Sequence, residues 1–276
     1  MKYFKTLIVS ASAAVLILFC SCSSDTVTNT GNNTSLDTSA FTYPYGIGNT
    51  WNYIRTYTAS DIRPDSILHY FTINPIRNIG TITILYDTSI NNITTRCFTE
   101  EYTEYGYDTI TYNGRFYFIQ TDSSLIEFAY RNFLYPSFIP SKKQNIIYKS
   151  EKNLCVSQES SDSLNILDPP VIVLKYPIRT GTQWNYNFSG GGNITKKYEQ
   201  FVNVNLSSGS VTCMKVSTTY SFLDGAPIYN YYSKYGIMER YWFINDEHVS
   251  TPQNPEGIGT VDYTEEFKVS SFQINP

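Results

Sequence analysis

The chain has 276 residues, a formal net charge of −4 at pH 7 and 16% aromatic residues, among them 25 tyrosines. This charge balance provides no basic patch, so we expect no nucleic-acid partner. The length is sufficient for a sizeable core, either in one large β unit or in two smaller domains.

The first residues have the pattern of a secretory signal. Lys2 and Lys5 supply the charged region, and an apolar run extends from Leu7 to Phe19. The run is too short for a convincing membrane span. An apolar N-terminus that is not cleaved is the alternative.

Two cysteines follow the apolar run in Phe19-Cys20-Ser21-Cys22, which resembles a bacterial lipobox. Cys22 follows the small Ser21, as the lipobox pattern requires, whereas Cys20 follows a bulky phenylalanine. We therefore predict that residues 1–21 are a lipoprotein signal peptide and that Cys22 carries the acyl chains, such as palmitate. Two or more such chains are enough for stable membrane anchoring.

Residues 22–42 are predicted to be the lipidated cysteine and a flexible tether, because almost all of them are small and polar. About twenty residues of such coil have a root-mean-square reach of ~25 Å. Loss of residues 1–21 leaves 18 basic and 24 acidic residues, a formal charge of −6. The predicted location is the bacterial cell envelope, at the outer membrane, with the periplasmic and surface faces both open.

A β-rich domain is predicted over residues 43–276, and it opens with a stretch that occurs twice. Tyr43 to Tyr53 and Tyr176 to Tyr186 are 133 residues apart and agree at six of eleven positions. In each copy a proline favours extended entry into a sheet. A glycine three residues before the tryptophan favours a turn with positive φ.

Alternating residues predict strands after each copy. In Trp184–Phe188 aromatic residues alternate with asparagines, and in Thr81–Tyr86 apolar residues alternate with threonines. Val261–Val269 has the same period, with Glu265 as an exception on its apolar face. The predicted fold is all-β, an antiparallel meander that forms a curved sheet or half-barrel from two similar halves.

Turn signals divide these runs. Asn113-Gly114 and Asp224-Gly225 each lie between two β-rich runs and predict hairpins with tight turns. The polar residues 141–165 favour a loop or a short helix. Asp168-Pro169-Pro170 is predicted to break the chain, which gives pseudo-repeat halves at 43–168 and 171–276.

The aromatic residues of the repeat have two interpretations. Spacing at i and i+2 on a half-buried strand favours a place in the core. The alternative is a stacking platform for sugars or aromatic ligands, so the candidate ligand-binding residues are Trp51, Tyr53, Trp184 and Tyr186.

Three cysteines remain after the signal region, Cys97, Cys155 and Cys213, and their spacing matches no zinc motif. The envelope would permit one disulfide. Buried free thiols that pack as small apolar residues are favoured over a bridge.

Few residues suggest chemistry. His69 and His248 have no partner at metal-ligand spacing, so no metal and no cofactor is predicted. An acidic cluster favours a solvated face, with weak Ca²⁺ binding as the alternative; it consists of Glu100, Glu101, Glu104 and Asp108. No catalytic motif is found.

The opening stretch is similar to that of a widespread, largely uncharacterised group of bacterial envelope lipoproteins, in which aromatic-Pro-…-Gly-Asn-x-Trp-x-Tyr follows the tether. Gly209–Val216 and Tyr232–Arg240 resemble two later elements of that group, with Met238 in place of a second glycine. The resemblance implies a single antiparallel β unit, a curved half-barrel like that of periplasmic lipoprotein carriers. It implies no catalytic residue.

Two functions are therefore retained. The first is a non-enzymatic, membrane-anchored lipoprotein that binds an apolar or glycan ligand, or an envelope protein, on a β surface. The second is a hydrolase of extracellular polymer with a carboxylate pair that no motif identifies. A deep apolar groove would favour the first, and two carboxylates ~5 to 10 Å apart in a cleft would favour the second.

Overall fold

The computed structural model describes residues 40–71, 76–105, 109–132, 134–135, 157–158, 163–187, 193–221, 227–251 and 253–275. The predicted signal peptide, Cys22, most of the tether and Cys155 lie outside these ranges. All described residues belong to one compact unit.

Strands make up nearly all of the described chain. They are β1 (Thr50–Arg63), β2 (Ile76–Ile90), β3 (Ile93–Tyr105), β4 (Thr109–Gln120), β5 (Ser124–Arg131), β6 (Leu134–Tyr135), β7 (Ser157–Gln158), β8 (Asn165–Lys175), β9 (Gln183–Asn187), β10 (Asn193–Leu206), β11 (Gly209–Tyr220), β12 (Ile228–Ser233), β13 (Gly236–Thr251) and β14 (Asn254–Gln273). A short 3₁₀ helix, Asp65–Tyr70, follows β1.

Twelve strands form one antiparallel sheet in the order β8-β5-β4-β3-β2-β1-β14-β13-β12-β11-β10-β9, and β6 pairs with β7 separately. The sheet curves into a nearly closed, barrel-like shape. The all-β, antiparallel prediction is confirmed. Most neighbours in the sheet are also neighbours in sequence, as in a meander, and the pairing of β1 with β14 joins the early strands to the late ones.

The two ends of the sheet, β8 and β9, are consecutive in the chain, and side chains join them. The Tyr198 hydroxyl donates to the Lys175 carbonyl at 2.8 Å and accepts from the Lys175 amide at 2.8 Å. The Trp184 indole donates to the Ile172 carbonyl at 3.1 Å. We call this junction the seam.

The tight turn predicted at Asn113-Gly114 is wrong, because both residues lie inside β4. There Gly114 is paired with Glu100 of β3, so the pairing of long strands overrides the local turn preference. A tight turn that was not predicted from the sequence lies at Asn91-Asn92, where φ is 50° and 63° between β2 and β3. Asp224-Gly225 lies outside the described residues, although β11 and β12 on either side are paired.

The predicted break at Asp168–Pro170 does not end the strand, since β8 runs through it. The pairing with β5 is interrupted at the prolines: Ile166 is opposite Ala129 and Val171 is opposite Glu127, so β8 carries the extra residues 167–170. The division into halves 43–168 and 171–276 stays a prediction. Most of the loop or short helix predicted at 141–165 lies outside the described residues, apart from β7 and the start of β8.

The interior is aromatic. The largest side chains that are less than 2% exposed are Trp51, Tyr53, Tyr102, Tyr198, Phe116, Phe267, Ile82, Ile84 and Leu174. Cys97 and Cys213 are buried and unbonded, as the free-thiol interpretation predicted. Within the described ranges, no helix has the length and apolar character needed to span a bilayer.

Charged groups are also buried among these aromatic side chains. Within the described residues, three cations and three carboxylates are at most 6% exposed: Arg55, Lys196, Arg240, Glu100, Glu127 and Glu265. Arg55 and Glu265 form an ion pair at 2.7 Å, which explains the exception on the apolar face of β14. Paired burial of this kind avoids the large cost of an isolated buried charge.

The solvated face predicted for the acidic cluster is wrong for Glu100, which is 0% exposed and accepts a hydrogen bond from the Tyr53 hydroxyl. Glu101, the next residue along the strand, is exposed. The side chain of Glu104 and residue Asp108 lie outside what the structure describes. In the described part of the chain, no group of three or more histidine, cysteine or acidic side chains could hold a metal ion.

Candidate functional site

The first copy of the repeat forms a turn and then enters β1. Gly48 has φ 87°, and the Asn49 amide donates to the Gly46 carbonyl at 3.3 Å. The Gly48 amide donates to the Ile84 carbonyl at 2.8 Å, and the Ile84 amide donates to the Asn49 carbonyl at 2.9 Å. The turn is thereby attached to β2 before the strand begins.

The second copy repeats this arrangement at the equivalent positions. Gly181 has φ 84°, and the Thr182 amide donates to the Arg179 carbonyl at 3.1 Å. The Gly181 amide donates to the Tyr198 carbonyl at 2.8 Å, and the Tyr198 amide donates to the Thr182 carbonyl at 2.9 Å. The predicted positive φ is confirmed in both copies, and the repeat in sequence is a repeat in structure.

The candidate ligand-binding aromatics of the repeat are mostly interior. Trp51 is 0% exposed, Tyr53 1% and Trp184 5%, while Tyr186 is half-buried. Both indoles donate to backbone carbonyls outside their own strands: Trp51 to Tyr235, in the turn between β12 and β13, at 2.6 Å, and Trp184 to Ile172 of β8 at 3.1 Å. These rings tie parts of the sheet together and do not line an open surface.

The Tyr-Pro segment that begins each copy lies nearer the surface than the tryptophan and tyrosine that end it. The two Tyr-Pro segments converge, and the backbone amide of Tyr43 donates to the Tyr176 hydroxyl at 3.1 Å. Together they line a cleft of about 820 Å³. We call it the motif cleft, and its walls are Ala40, Phe41, Thr42, Tyr43, Pro44, Tyr45, Gly46, Asn49, Arg96, Gln120, Asp122, Tyr176, Pro177, Lys234 and Asn275.

Arg96 of β3 is the most firmly held cation in the motif cleft. Its guanidinium binds Asp87 through two contacts, at 2.6 Å and 2.8 Å. It also donates to the Tyr45 carbonyl and lies over the Tyr45 ring, 4.5 Å from the centroid. Arg96 and Asp87 each shift the pKa of the other, upward for the arginine and downward for the carboxyl, chiefly through this hydrogen bonding. The pair fixes one wall of the cleft.

The three tyrosines of the motif cleft are neutral at physiological pH. Burial raises the pKa of Tyr43 and of Tyr45 well above the usual phenol value, with Arg96 opposing the shift at Tyr45. Burial also raises the pKa of Tyr176 to about 12, against a lowering by its bond with the Tyr43 amide. These groups can stack and hydrogen-bond, but they cannot serve as bases.

The other polar groups come from loops and strand ends. Gln120 ends β4, Asp122 lies before β5, and Lys234 lies in the turn between β12 and β13. The side-chain oxygen of Gln120 is buried, and among the described residues it has no hydrogen-bond partner. A ligand hydroxyl or amide would reach this unused acceptor after rotation of the Gln120 side chain toward the cleft.

The C-terminal residues complete the cleft from another side. The Asn275 amide donates to the Asn49 side chain at 2.8 Å, and the Asn275 side chain donates to the Ile47 carbonyl at 3.2 Å. The Asn49 side chain in turn donates to the Pro44 carbonyl at 3.1 Å. The first turn of the repeat is therefore held in place from both ends of the folded chain.

The residues that reach the cleft are not the four aromatic residues named from the sequence as ligand-binding candidates, for which the sequence favours a core position. The tryptophans and following tyrosines are interior, whereas the tyrosines around Pro44 and the tyrosine before Pro177 reach the cleft. The two Tyr-Pro pairs line one cleft because the second pair lies between β8 and β9, the strands that meet at the seam. Arg96 and Gln120 belong to no motif identified in the sequence, and Lys234 lies within the Tyr232–Arg240 element without any signal that marks it as a site residue.

Comparisons with known proteins add little. No protein-family model matches the chain, and no curated protein matches it significantly. A solved structure from Bacteroides fragilis, described as an exported protein with a YmcC-like fold, is 10% identical over 85% of this chain and 100% of its own, with a TM-score of 0.38. A lipoprotein from Parabacteroides distasonis is 8% identical over 85% and 99%, with a TM-score of 0.34. Both scores are too low to carry an argument.

Proposed function

We propose that this protein is a membrane-anchored lipoprotein of the bacterial envelope that binds a glycan segment in the motif cleft, without catalysing a reaction. One observation carries the proposal: two Tyr-Pro segments, 133 residues apart in sequence, converge on a single cleft. The rest of each copy has a structural role in a turn and a strand. The cleft is where the repeat presents side chains to a ligand.

The chemistry of the walls favours a glycan over an apolar ligand. Neutral phenols offer both a ring face and a hydroxyl, and carboxamides offer a donor and an acceptor. A wholly apolar ligand would bury Gln120, Asp122 and Lys234 without supplying hydrogen bonds, which is costly. The mixture of planar polar groups and aromatic rings suits a sugar, which has hydroxyls at its edge and C–H groups on its face.

The hydrolase alternative receives no support from the motif cleft. Asp122 is the one carboxylate among the described residues that line it. Glycoside hydrolysis of the common kind requires two carboxyl groups on either side of the scissile bond. The observation that would favour a hydrolase is therefore not met in this cleft.

The membrane anchor of the proposal rests on the first 22 residues, which have the three parts of a lipoprotein signal. Fractionation of a Cys22→Ser variant tests it, with metabolic labelling by a palmitate analogue. The variant should lose the label and leave the membrane fraction. Retention of both would overturn the anchor and leave the cleft proposal unaffected.

Binding is tested by screening the purified protein in detergent micelles against a panel of neutral oligosaccharides from cell-surface and dietary polymers. For any sugar that binds, Gln120→Met removes the free acceptor at nearly constant volume and should weaken affinity about tenfold, the value of one hydrogen bond. Gln200→Met, at an exposed position on β10, is the matched control. Absence of binding across the panel, or equal affinity in both variants, would refute glycan binding in this cleft.

A further inference from the structure

Two arginines lie directly opposite each other on neighbouring strands. Arg115 of β4 is paired with Arg131 of β5. Residues opposed in this way have Cβ atoms roughly 4.5 to 5.5 Å apart and share one face of the sheet. Like charges in such a pair repel and destabilise the sheet unless something neutralises them.

The face is the outer one. Phe116, which directly follows Arg115 on β4, is 0% exposed and belongs to the interior. Because successive side chains of a strand point to opposite faces, Arg115 points outward, and it is exposed. Thr99 of β3 is the next residue along the same row, opposite Arg115. A row of two guanidinium groups and a threonine hydroxyl therefore crosses three strands.

The next row of side chains on this face contains Tyr86, Cys97 and Tyr117 in register. Burial raises the pKa of Tyr86 and of Tyr117, and Arg115 and Arg131 both act in the opposite direction on each phenol. Both guanidinium groups are therefore near enough to act on the pKa of the same two phenols. Tyr86 reaches this face because a register irregularity lies between Ile84 and Tyr86.

No carboxylate pairs with either arginine within the described residues. By contrast, Arg55, Arg63 and Arg96 each have a carboxylate partner. The Nε–H of Arg131 is buried without an acceptor in the described part of the chain. Burying an unused charged donor costs free energy, and a bound anion would offset that cost.

A groove of about 480 Å³ lies on this face beside Arg115. Arg115, Thr99, Asn113 and Asn132 line it, together with Glu101. Glu101 stands opposite Asn113, one row away from Arg115, and forms no ion pair with it in the described residues. Arg131 is not among the lining residues, but its neighbour Asn132 is, so the groove gives a ligand direct access to Arg115 and reaches the position next to Arg131. The asparagines and the threonine of the groove can donate further hydrogen bonds.

We propose that Arg115 and Arg131 form a binding site for an oxyanion, namely a phosphate group. Guanidinium groups bind phosphate through paired N–H donors, and two of them can hold opposite sides of one tetrahedral anion. The site goes beyond the glycan proposal and is separate from the motif cleft. Gln120, in the cleft wall, is five residues further along β4 than Arg115, roughly 17 Å away at strand spacing.

The test is thermal unfolding of the full-length protein in micelles, with inorganic phosphate compared with sodium chloride at equal ionic strength. Phosphate at saturating concentration should raise the melting temperature of the wild type by about 2 °C or more, since a ligand that binds only the folded state stabilises it. Arg115→Gln and Arg131→Gln should each abolish the rise. Arg77→Gln, which removes an exposed arginine paired with Thr56, should retain it.

Glycerol phosphate serves as a second probe, because a phosphate monoester represents a lipid headgroup or a phosphorylated polymer. A rise with both probes supports a site open to phosphate esters, and a rise with inorganic phosphate alone supports a site for the free ion. Arg131→Lys keeps the charge but loses the paired donors, so it should retain only part of the rise. An equal rise in the wild type, Arg115→Gln and Arg131→Gln, or no rise with either probe, would overturn the site.

Discussion

The two copies of the repeat have the same local structure in different surroundings. Each makes the same three backbone hydrogen bonds around a glycine with positive φ. β1 then lies between β2 and β14 in the middle of the sheet, whereas β9 is paired only with β10 at one end of it. The eleven-residue stretch therefore specifies a turn and the start of a strand, while the neighbouring strands decide how much each side chain contributes.

Side chains opposite the repeat differ accordingly. Trp51 is paired with Ile82, but Trp184 is paired with Lys196. Tyr53 lies directly over Gly80, where an added Cβ would come 2.2 Å from the ring. The second copy has Ile194 opposite its tyrosine and no such close approach is needed there. The first copy is thus built for dense central packing, and the second is adapted to the seam.

The largest expected difference is between the two tryptophans. Trp51→Ala should lower the free energy of unfolding by about 3–5 kcal/mol, since it empties a fully buried site at the centre. Trp184→Ala should cost about 2–3 kcal/mol, because an end strand can relax into the space. Urea denaturation of both variants measures this. Equal losses of stability would mean that the seam is as well packed as the centre of the sheet, which would contradict the proposed difference between the two copies.

The cross-strand partners predict a pH dependence that only the second copy has. Burial lowers the pKa of Lys196 from 10.5 to about 8. Below pH 8 the lysine is charged in both states and its burial cost is present in full. Between pH 8 and 10.5 the folded state releases the proton first, so stability rises with pH. Wild-type stability should increase by on the order of 1–2 kcal/mol between pH 7.5 and 9.5.

Lys196→Ile gives the second tryptophan the partner that the first one has, and it should flatten this rise. Chemical denaturation at several pH values provides the readout. Glu127 also acts on Lys196, so Lys196→Ile combined with Glu127→Gln controls for the carboxylate left behind. A rise of the same size in the single and double variants would assign the pH dependence to other groups.

A smaller difference in stability is expected between the two turn glycines, Gly48 and Gly181. Alanine at either position must adopt positive φ, which costs about 1–2 kcal/mol. An added Cβ at Gly48 would also lie 2.5 Å from the Asn275 side chain, whereas at Gly181 nothing lies within 4 Å. Gly48→Ala should therefore be the more destabilising substitution in thermal unfolding. A greater loss in Gly181→Ala would show that the seam turn is under tighter constraint than its open surroundings indicate.

The smallest effect is expected at the ion pair that only the first copy has. Tyr45 lies under Arg96, but the equivalent residue of the second copy is Ile178, which is buried. The Asp87 side chain is 43% exposed, so Asp87→Asn should cost less than about 1 kcal/mol at pH 7. Arg96 lowers the pKa of Asp87, so its contribution is present above the usual carboxyl pKa and lost as pH falls through the lowered value.

The stability difference between wild type and Asp87→Asn should therefore shrink as pH falls through the lowered pKa of Asp87, where the carboxylate becomes protonated. Asp246→Asn, at the exposed pair with Arg63, is the control for stability alone. Both variants should lose little stability, but only Asp87→Asn should alter ligand binding in the motif cleft. Equal binding in the two would separate the Arg96–Asp87 pair from the site.

Local pattern alone was sufficient for much of the fold. Alternation predicted the strands around Trp184 and Thr81, and glycine spacing predicted both turns of the repeat, because side-chain period and positive φ are properties of a few adjacent residues. The same local reasoning failed at Asn113-Gly114, where pairing with β3 extends the strand through a turn sequence. It failed again at Glu100, whose charge suggested solvent but whose partner, Tyr53, is 47 residues away.

The sequence by itself determined the all-β class and the two equivalent turns that begin β1 and β9. Only the tertiary structure decided that one copy would be central and the other would close the seam, since strand order depends on pairings between distant segments. It also decided that two Tyr-Pro segments would share the motif cleft and that Arg115 would face Arg131. These sites arise from register across the sheet, which no single segment encodes.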